Sequence, residues 1–383
     1  MATSGGRTVA GPRTLHLMPL QFLCNHVCPM CDLQDFEPDV LRRNQRTDLE
    51  QGLKLADYER LFDQMLPGLR MVSLFGGGEP LAHPEIEGIL RAIKARGWTG
   101  AMITNGSLLR EKLARLMIDA GWENLRISAH AGDAATYRVI HGRNNFDRVR
   151  ENLLRWDSLR KATPSNRPSE LAMHHVIQRE NLGGIEAMFE FAHEVGVDSL
   201  SFLPIIPYRE GQELTRGELE FARAALASAS TASSIPVWLD PLLRAHESVL
   251  PRRRVPGELE TTSASEPTPA SEPTPAPTSA LEAELASASE SERQPETPSP
   301  EPSEAFRPAT RCSVGYDYAV VSAFGDVTPC CHSDEVMGNL RQQSFREVWN
   351  GVPYREFRRR LMGGEFAPYC ASKRCSIEEV LHR

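Results

Sequence analysis

The chain has no apolar run that approaches about 18 residues, so the sequence predicts no membrane span. It shows no broad basic surface with interleaved aromatic residues, which argues against nucleic acid as a partner. Its first residues show no charged segment followed by an apolar one, so we expect a cytoplasmic protein with reduced cysteines rather than disulfides. At 383 residues, the chain exceeds one average domain and can bury a sizeable core.

The net negative charge of the chain comes from one segment. Between Pro256 and Ala305, eleven glutamates and one arginine give a charge of −10; the whole chain carries −8, so the remainder is near +2. Ser265–Ala270 repeats there as Ser271–Ala276. This Pro/Ser/Glu/Ala-rich composition cannot bury enough apolar surface to order itself. We expect a disordered linker over residues 251–306, as a solvated spacer between two modules; a lid or docking tail is the alternative.

Three cysteines lie close together near the N-terminus: Cys24, Cys28 and Cys31 are separated by gaps of three and two residues. Soft thiolates suit an iron–sulfur cluster, and three ligands for four irons would leave one iron open to a ligand that is not protein. Zinc and unrelated thiols are the alternatives. Zinc sites usually show paired cysteines or a Cys/His pair, and this loop offers only His26.

Polar or glycine-rich segments follow successive predicted strands. Met71–Phe75 indicates a short buried strand that runs directly into Gly76-Gly77-Gly78-Glu79-Pro80. Glycines after a strand let the backbone approach a neighbour closely. The alternative is that this segment is a plain strand-to-helix turn. Thr104-Asn105-Gly106 and Ser128 follow the next two predicted strands. Barrel enzymes collect their sites at such strand ends.

Strand-like runs alternate with helical patterns through the first two thirds of the chain. This alternation predicts a parallel sheet with right-handed crossovers. Six units make an α/β fold with an open, partial (β/α)6 TIM-like barrel, whose wide mouth suits a bulky cofactor and a bulky substrate. The predicted strands are Leu15–Phe22, Met71–Phe75, Gly100–Ile103, Asn124–Ile127, Leu171–Ile177 and Ser199–Leu203, and the predicted helices include Tyr58–Met65, Glu85–Lys94, Leu108–Ala120, Phe146–Leu159 and Ile185–Glu194.

Taken together, these motifs resemble the radical S-adenosylmethionine (SAM) superfamily over about residues 14–207. The resemblance implies that Cys24, Cys28 and Cys31 hold a 4Fe–4S cluster whose open iron binds the amino and carboxylate groups of SAM. One electron from the cluster then cleaves a carbon–sulfur bond, and the resulting 5′-deoxyadenosyl radical abstracts a hydrogen atom from the substrate. The resemblance also implies a reductant such as flavodoxin or ferredoxin. The implied SAM contacts are Gly76, Gly77, Gly78, Glu79, Pro80, Thr104, Asn105 and Ser128.

The chain departs from this family at two histidines. Many relatives read Ser-Leu-Asp-Gly where this chain reads Ser128-Ala129-His130-Ala131. Where relatives often place an arginine for the SAM carboxylate, the register points to His141, and Arg138 or Arg143 could replace it. The carboxylate contact is therefore left unassigned. Both histidines could equally be ordinary loop residues.

The C-terminal part carries the other five of the eight cysteines. It resembles the auxiliary-cluster extension of the same family, the SPASM module or the shorter twitch module. The resemblance rests on Cys312, the spacing from Gly325 to Cys330, Gly338-Asn339, Trp349-Asn350 and a closing cysteine pair. It implies one auxiliary 4Fe–4S cluster, because five cysteines are too few for two, with a structural zinc site as the alternative. The implied ligands are Cys312, Cys330, Cys370 and Cys375, with Cys331 as a possible substitute.

We therefore predict a tail over residues 1–13, a barrel over 14–250 and, after the linker, a small α+β auxiliary-cluster domain over 307–383. The second cluster favours oxidation or dehydrogenation of a small polar substrate. Peptide or protein modification, of the ribosomal-peptide or sulfatase-maturation type, stands close behind, and a non-catalytic iron–sulfur or zinc scaffold is the third alternative. The acid–base residues are unknown; candidates near the predicted site are His174, His175, Tyr208, Glu210 and Asp240.

Overall fold

A computed structural model describes residues 10–163, 169–207, 209–240, 243, 312 and 314–365. The described residues form a ten-stranded sheet whose first seven strands are parallel and lie side by side in chain order. This order is expected when each strand returns to the sheet through a helical crossover. The strands are β1 (Thr14–Leu17), β2 (Met71–Leu74), β3 (Thr99–Thr104), β4 (Asn124–Ser128), β5 (Glu170–Ile177), β6 (Ser199–Pro204) and β7 (Val237–Leu239).

Helices fill the connections between these strands. Most of these helices pack an apolar stripe against one face of the sheet, and residues such as Val72, Ile93 and Leu125 are fully buried in the resulting core. This burial supplies the main driving force for the fold. Within the described part of the chain, no helix has the length and apolar character needed to cross a bilayer. The helices are α1 (Pro38–Gln51), α2 (Leu55–Asp63), α3 (Ile86–Ala95), α4 (Glu111–Asp119), α5 (Ala134–His141), α6 (Phe146–Ala162), α7 (Ile185–Glu194) and α8 (Arg216–Ala232).

The C-terminal part extends the same sheet beyond β1. Strand β8 (Tyr318–Val321) pairs in parallel with β1, and the antiparallel strands β9 (Asp326–Thr328) and β10 (Gly338–Asn339) follow it. Three helices accompany these strands. They are α9 (Val314–Asp317), α10 (Phe345–Trp349) and α11 (Val352–Met362).

The predicted fold class, a partial barrel followed by a small α+β module, is confirmed, with three corrections. The first strand ends at Leu17 rather than Phe22. Strand β7 adds a seventh parallel strand that the sequence did not reveal, because it is only three residues long and lies between prolines. From the sequence we also expect an amphipathic segment near Phe345–Leu361; it is two helices, interrupted at Asn350 and Gly351. The domain boundaries stay predictions, and the predicted linker lies outside the described residues.

The two faces of the sheet differ in character. In β4, Leu125 and Ile127 are fully buried in the helix-covered core, whereas Arg126 and Ser128 alternate with them and are only partly buried. The strand register places Ser128 beside His174 of β5, and His174 beside Ser201 of β6. We call the surface formed by Arg126, Ser128, His174 and Ser201 the inner face.

Candidate active site

The three predicted cluster ligands lie in the loop that follows β1, at the carboxyl end of the parallel strands. None of them forms a disulfide. Burial raises the pKa of Cys24 to about 11, and burial together with the thiolates of Cys24 and Cys31 raises the pKa of Cys28 to about 12. The three sulfurs are thus close enough to repel one another when ionised, and a cation between them would relieve that repulsion. Three neighbouring thiols are the donor set that a 4Fe–4S cluster requires, so these residues fit the implied cofactor.

A buried aspartate holds the approach to this loop. Oδ2 of Asp48, in α1, accepts the backbone N–H groups of Phe22 and Leu23 at 2.6 Å each, and both carboxylate oxygens lie 3.1 Å from the N of Gln21. Asp48 is only 2% exposed. Three consecutive N–H groups directed at one carboxylate fix the backbone just before Cys24. No local sequence pattern indicates this role, because the partners lie 25 to 27 residues away.

Arg209 holds the other end of the loop. Its guanidinium donates to the carbonyl oxygens of Pro29 (2.7 Å) and Cys31 (3.0 Å), and it also pairs with Asp35. Backbone carbonyls and a carboxylate together satisfy the fork of donors that arginine presents. The cysteine loop is therefore braced from α1 on one side and from the segment after β6 on the other.

Glu79, in the glycine-rich segment, is buried and organises the ends of two strands. Its Oε1 accepts the Thr104 hydroxyl at 2.6 Å and the Leu81 N–H at 3.0 Å, and its Oε2 accepts the Asn105 N–H at 2.9 Å. Burial raises the pKa of Glu79, and these three donors act against that rise. The structure thus brings Glu79, Thr104 and Asn105 together, as the sequence predicted.

The glycines of this segment approach the cysteine loop itself. The N–H of Gly78 donates to the Leu20 carbonyl and the N–H of Glu79 to the Leu23 carbonyl, both at 2.9 Å. A Cβ on Gly78 would lie 2.3 Å from the Leu23 oxygen, and a Cβ on Gly77 would lie 2.7 Å from the Gln21 Cα. The sequence predicted that glycine allows a close approach here, and the neighbour it approaches is the cysteine loop.

We expect Gly78→Ala to destabilise the protein by about 1 to 3 kcal/mol, because the new methyl group forces the glycine-rich segment away from Leu23. Gly217→Ala is the matched control: a Cβ at this position in α8 meets nothing within 4 Å, so this change should be neutral or slightly stabilising. Thermal unfolding of the two variants tests the prediction. Equal melting temperatures would contradict it.

A second set of polar contacts joins the cysteine loop to β3. The Asn105 side chain donates to Oδ1 of Asn25 at 2.9 Å, and the Asn25 side chain donates to the Ser107 hydroxyl at 2.7 Å. Arg143 donates to the Asn25 carbonyl at 3.0 Å. Ser128, also predicted, ends β4 on the inner face. The predicted contact residues of β2, β3 and β4 therefore meet at one edge of the sheet.

The two divergent histidines are buried beside the cysteine loop. The rings of His130 and His141 stack with centroids 5.3 Å apart, and His141 Nδ1 lies 3.5 Å from the Cys28 Sγ. His141 Nε2 accepts the backbone N–H of His130 at 3.3 Å. Since an accepting Nε2 carries no proton, the proton of the neutral ring is on Nδ1, which directs a donor at Cys28. His141 ends α5 rather than lying in a loop, and both of its ring nitrogens have partners.

The zinc alternative also has a geometric basis. Ring nitrogens of His26 and His141 and the sulfur of Cys28 lie within 4.8 Å of one another, and such a nitrogen–sulfur set would suit zinc. This set leaves out Cys24 and Cys31, however. Zinc is therefore a rival for Cys28, one of the three predicted cluster ligands.

Two of the predicted auxiliary ligands come together in the C-terminal part. Cys312 packs against a buried cluster formed by Val314, Tyr318, Val320 and Cys330. Cys331 is exposed, and it and Cys330 both raise the pKa of Tyr318, whose largest shift comes from burial. Cys370 and Cys375 lie outside the described residues. The described geometry thus supports a site at Cys312 and Cys330.

The candidate acid–base residues are dispersed. His174 lies on the inner face with Nδ1 3.0 Å from the Ser201 hydroxyl, whereas His175 faces the core and packs against Phe202 at 5.2 Å. One of the two histidines therefore faces inward, as predicted. Glu210 lies in an exposed turn and Asp240 follows β7, while Tyr208 lies outside the described residues.

Comparison with known proteins identifies both parts of the chain. A family model described as the radical SAM superfamily matches residues 18–192, and one described as an iron–sulfur cluster-binding domain (SPASM) matches residues 312–376. The Pyrococcus furiosus tungsten-containing aldehyde ferredoxin oxidoreductase cofactor-modifying protein is 24% identical over 200 residues, which are 51% of this chain and 54% of that protein. The chain spans about half the length of the curated relatives it matches.

Solved structures share the fold. Streptococcus suis SuiB superposes with a TM-score of 0.57 at 14% identity, over 90% of this chain and 67% of that one. The structure of anSMEcpe with bound AdoMet gives a TM-score of 0.57 at 13% identity, over 95% of this chain and 90% of that one. The predicted cofactors, SAM and iron–sulfur clusters, are those of the two matched domains. The chain carries a radical SAM domain over residues 18–192 and an iron–sulfur cluster-binding domain of the SPASM type over residues 312–376.

Proposed function

We propose that this radical SAM enzyme oxidises a small polar substrate, with Cys24, Cys28 and Cys31 as the ligands of its SAM-binding cluster. The observation that carries the proposal is the contact between the cysteine loop and the strand ends. Leu23 accepts the N–H of Glu79, and Asn25 accepts the amide of Asn105. Three thiols, a buried carboxylate and two strand ends therefore share one site.

When bound, SAM and its cluster would supply the chemistry of hydrogen-atom abstraction from the substrate, and an auxiliary cluster would supply an acceptor for the second electron. The chain's own residues would hold these cofactors and orient them. We assign the SAM contacts to Gly76, Gly77, Gly78, Glu79, Pro80, Thr104, Asn105 and Ser128. We do not assign the SAM carboxylate to His141, because both of its ring nitrogens already have partners.

For the auxiliary site we propose Cys312, Cys330, Cys370 and Cys375 as ligands of one 4Fe–4S cluster. Cys312 and Cys330 support this assignment because they pack in the same small cluster of buried residues. Cys331 is the substitute. An electron acceptor at this position favours net oxidation of the substrate, and the polar inner face favours a small polar molecule over an apolar one.

Peptide modification is the second candidate. SuiB has been solved with its precursor peptide SuiA, and anSMEcpe with the Cp18Cys peptide; both structures share this fold with TM-scores of 0.57 and 0.55. At identities of 14% and 12%, these likenesses concern the fold, so they keep the peptide alternative open without deciding it.

The proposal is tested by the iron and sulfide content of anaerobically purified protein, the EPR spectrum of the reduced protein with and without SAM, and release of 5′-deoxyadenosine. We expect roughly eight irons per chain, for two clusters of four, and a SAM-induced change in one EPR signal. About four irons with that change would remove the auxiliary cluster and the preference for oxidation. Zinc without iron would refute the enzyme assignment.

The contact of His141 with Cys28 makes a separate prediction. A hydrogen bond to a ligand sulfur favours the more negative, reduced cluster and so raises its reduction potential. We expect His141→Leu to lower the potential of the SAM-responsive signal by about 59 mV, a tenfold change for one electron. His141→Asn keeps an N–H donor near the Nδ1 position and should lower it less. The auxiliary signal in the same EPR titration is the internal control, and equal shifts of both signals would contradict the prediction.

A further inference from the structure

Arg126 lies on the inner face, and no described residue bonds or pairs with its guanidinium. Among the described residues no carboxylate lies within ion-pairing distance of its guanidinium and no acceptor receives a hydrogen bond from it; its Nε is inaccessible to solvent. Glu170 is the acid that acts on it electrostatically. The oxygens of Glu170 accept the Asn124 amide at 2.6 Å and the Ser199 hydroxyl at 2.8 Å. The carboxylate of Glu170 therefore bonds to Asn124 and Ser199 and not to Arg126.

An unpaired guanidinium in this position is costly. Burial lowers the pKa of Arg126, which reports that the surroundings disfavour its charge. A partly buried cation without a partner costs free energy that a neutral side chain of similar length would not. Arginine also presents a planar fork that matches the two oxygens of a carboxylate or phosphate. A ligand that brings such oxygens would remove the cost.

The neighbours of Arg126 suit an anion. Ser128, His174 and Ser201 share the inner face with it, and His174 Nδ1 contacts the Ser201 hydroxyl. Burial, together with His130 and Arg126, lowers the pKa of His174 to about 3, so His174 is neutral at neutral pH. Around the guanidinium, the inner face therefore offers hydroxyl and imidazole groups, and Glu170, the acid that acts on Arg126, already accepts hydrogen bonds from Asn124 and Ser199.

We propose that the inner face around Arg126 binds an oxyanion of the substrate, a carboxylate or a phosphate. This inference rests on the proposed function, because it names the substrate class of the same site. The methionine carboxylate of SAM is the other possible source of such oxygens. Arg126 lies two residues before Ser128, the end of β4, and thus roughly 7 Å deeper along the strand. Cys28, Glu79 and Asn105 surround the strand ends instead, which favours the substrate over SAM.

The first test is thermal unfolding of the anaerobically reconstituted holoenzyme, as wild type, Arg126→Met and Arg126→Lys. Acetate and inorganic phosphate are the probes, with chloride at equal ionic strength as the control. We expect the probes to raise the melting temperature of the wild type, to do so less for Arg126→Lys and not at all for Arg126→Met. Without probes, Arg126→Met should melt at or above the wild-type temperature, because it removes an unpaired charge.

Two outcomes would overturn the oxyanion site. One is an equal effect of the probes on wild type and Arg126→Met. The other is a clear loss of stability in Arg126→Met without probes, since that would mean the arginine stabilises the fold rather than awaiting a ligand. The thermal readout needs no SAM cleavage. A holoenzyme that responds to phosphate through Arg126 but releases no 5′-deoxyadenosine would refute the proposed function and leave the oxyanion site standing.

The second test separates the two sources of the oxyanion. Dissociation constants are measured for SAM and for decarboxylated SAM with wild type and Arg126→Met. If the oxyanion belongs to the substrate, Arg126→Met should change both constants by less than about twofold, a few tenths of a kcal/mol. If Arg126→Met raises the dissociation constant of SAM by about tenfold or more and leaves that of decarboxylated SAM unchanged, Arg126 binds the SAM carboxylate. The assignment to the substrate would then be wrong.

Discussion

Cys28→Ala should reduce 5′-deoxyadenosine formation to the background of a protein without its SAM-responsive cluster. Burial and the thiolates of Cys24 and Cys31 raise the pKa of Cys28, so the three thiols act on one another, and two thiolates cannot replace three. The variant should lose roughly four irons per chain, the content of one cluster. Iron analysis and the EPR spectrum of the reduced protein with and without SAM provide the measurement.

Cys312→Ala is the reciprocal variant. It should lose the auxiliary signal and keep the SAM-induced change, whereas Cys28→Ala should lose that change and keep the auxiliary signal. The two signals thus serve as folding controls for each other. Turnover that survives Cys28→Ala would mean that the cluster ligands are wrongly assigned, and loss of both signals from either variant would mean that the two sites are not separate.

Much of the fold was predictable because its strands are short apolar runs bounded by turns. The helix Ile185–Glu194 has the predicted bounds. The helix α5 was missed, although its signals were present: Asp133 accepts the N–H groups of Ala135 and Thr136, and Gly142 ends the helix at a φ of +60°. Recognising those caps would have moved His141 from a loop to a helix end.

The candidate site likewise contains residues that the sequence predicted and residues that it did not. Glu79, Thr104 and Asn105 were predictable because polar residues that follow parallel strands meet at one edge of the sheet. Asp48 was not predictable, because its role depends on where a long, polar helix packs against a loop far away in sequence. Arg126 was also missed: a strand arginine is interpreted as an exposed charge until the structure shows which face it occupies and that none of the described residues pairs with it.

The second prediction with a large expected effect concerns the substitution of Asp48. Asp48→Ala would leave the N–H groups of Gln21, Phe22 and Leu23 without their acceptor in a buried site. Each unsatisfied group costs about 1 to 3 kcal/mol, so the three together predict a loss of at least roughly 3 kcal/mol in the free energy of unfolding. Since these residues lead directly into Cys24, the variant should also lose iron from the SAM-responsive cluster.

Asp39→Ala is the matched control for this change, because Asp39 lies in the same helix, is exposed and pairs with Arg42 on the surface. A surface pair contributes about 0 to 1 kcal/mol, so this variant should keep both stability and iron. Asp48→Asn should fall between the two, since one amide oxygen can still accept from Phe22 and Leu23 while the amide NH₂ faces the N–H of Gln21. Denaturant unfolding and iron content measure the series. If Asp48→Ala behaves like Asp39→Ala in both measurements, the carboxylate does not hold the cysteine loop. If stability and iron content both rise in the order Asp48→Ala, Asp48→Asn, wild type, the stability of that loop and its ability to retain the cluster are linked.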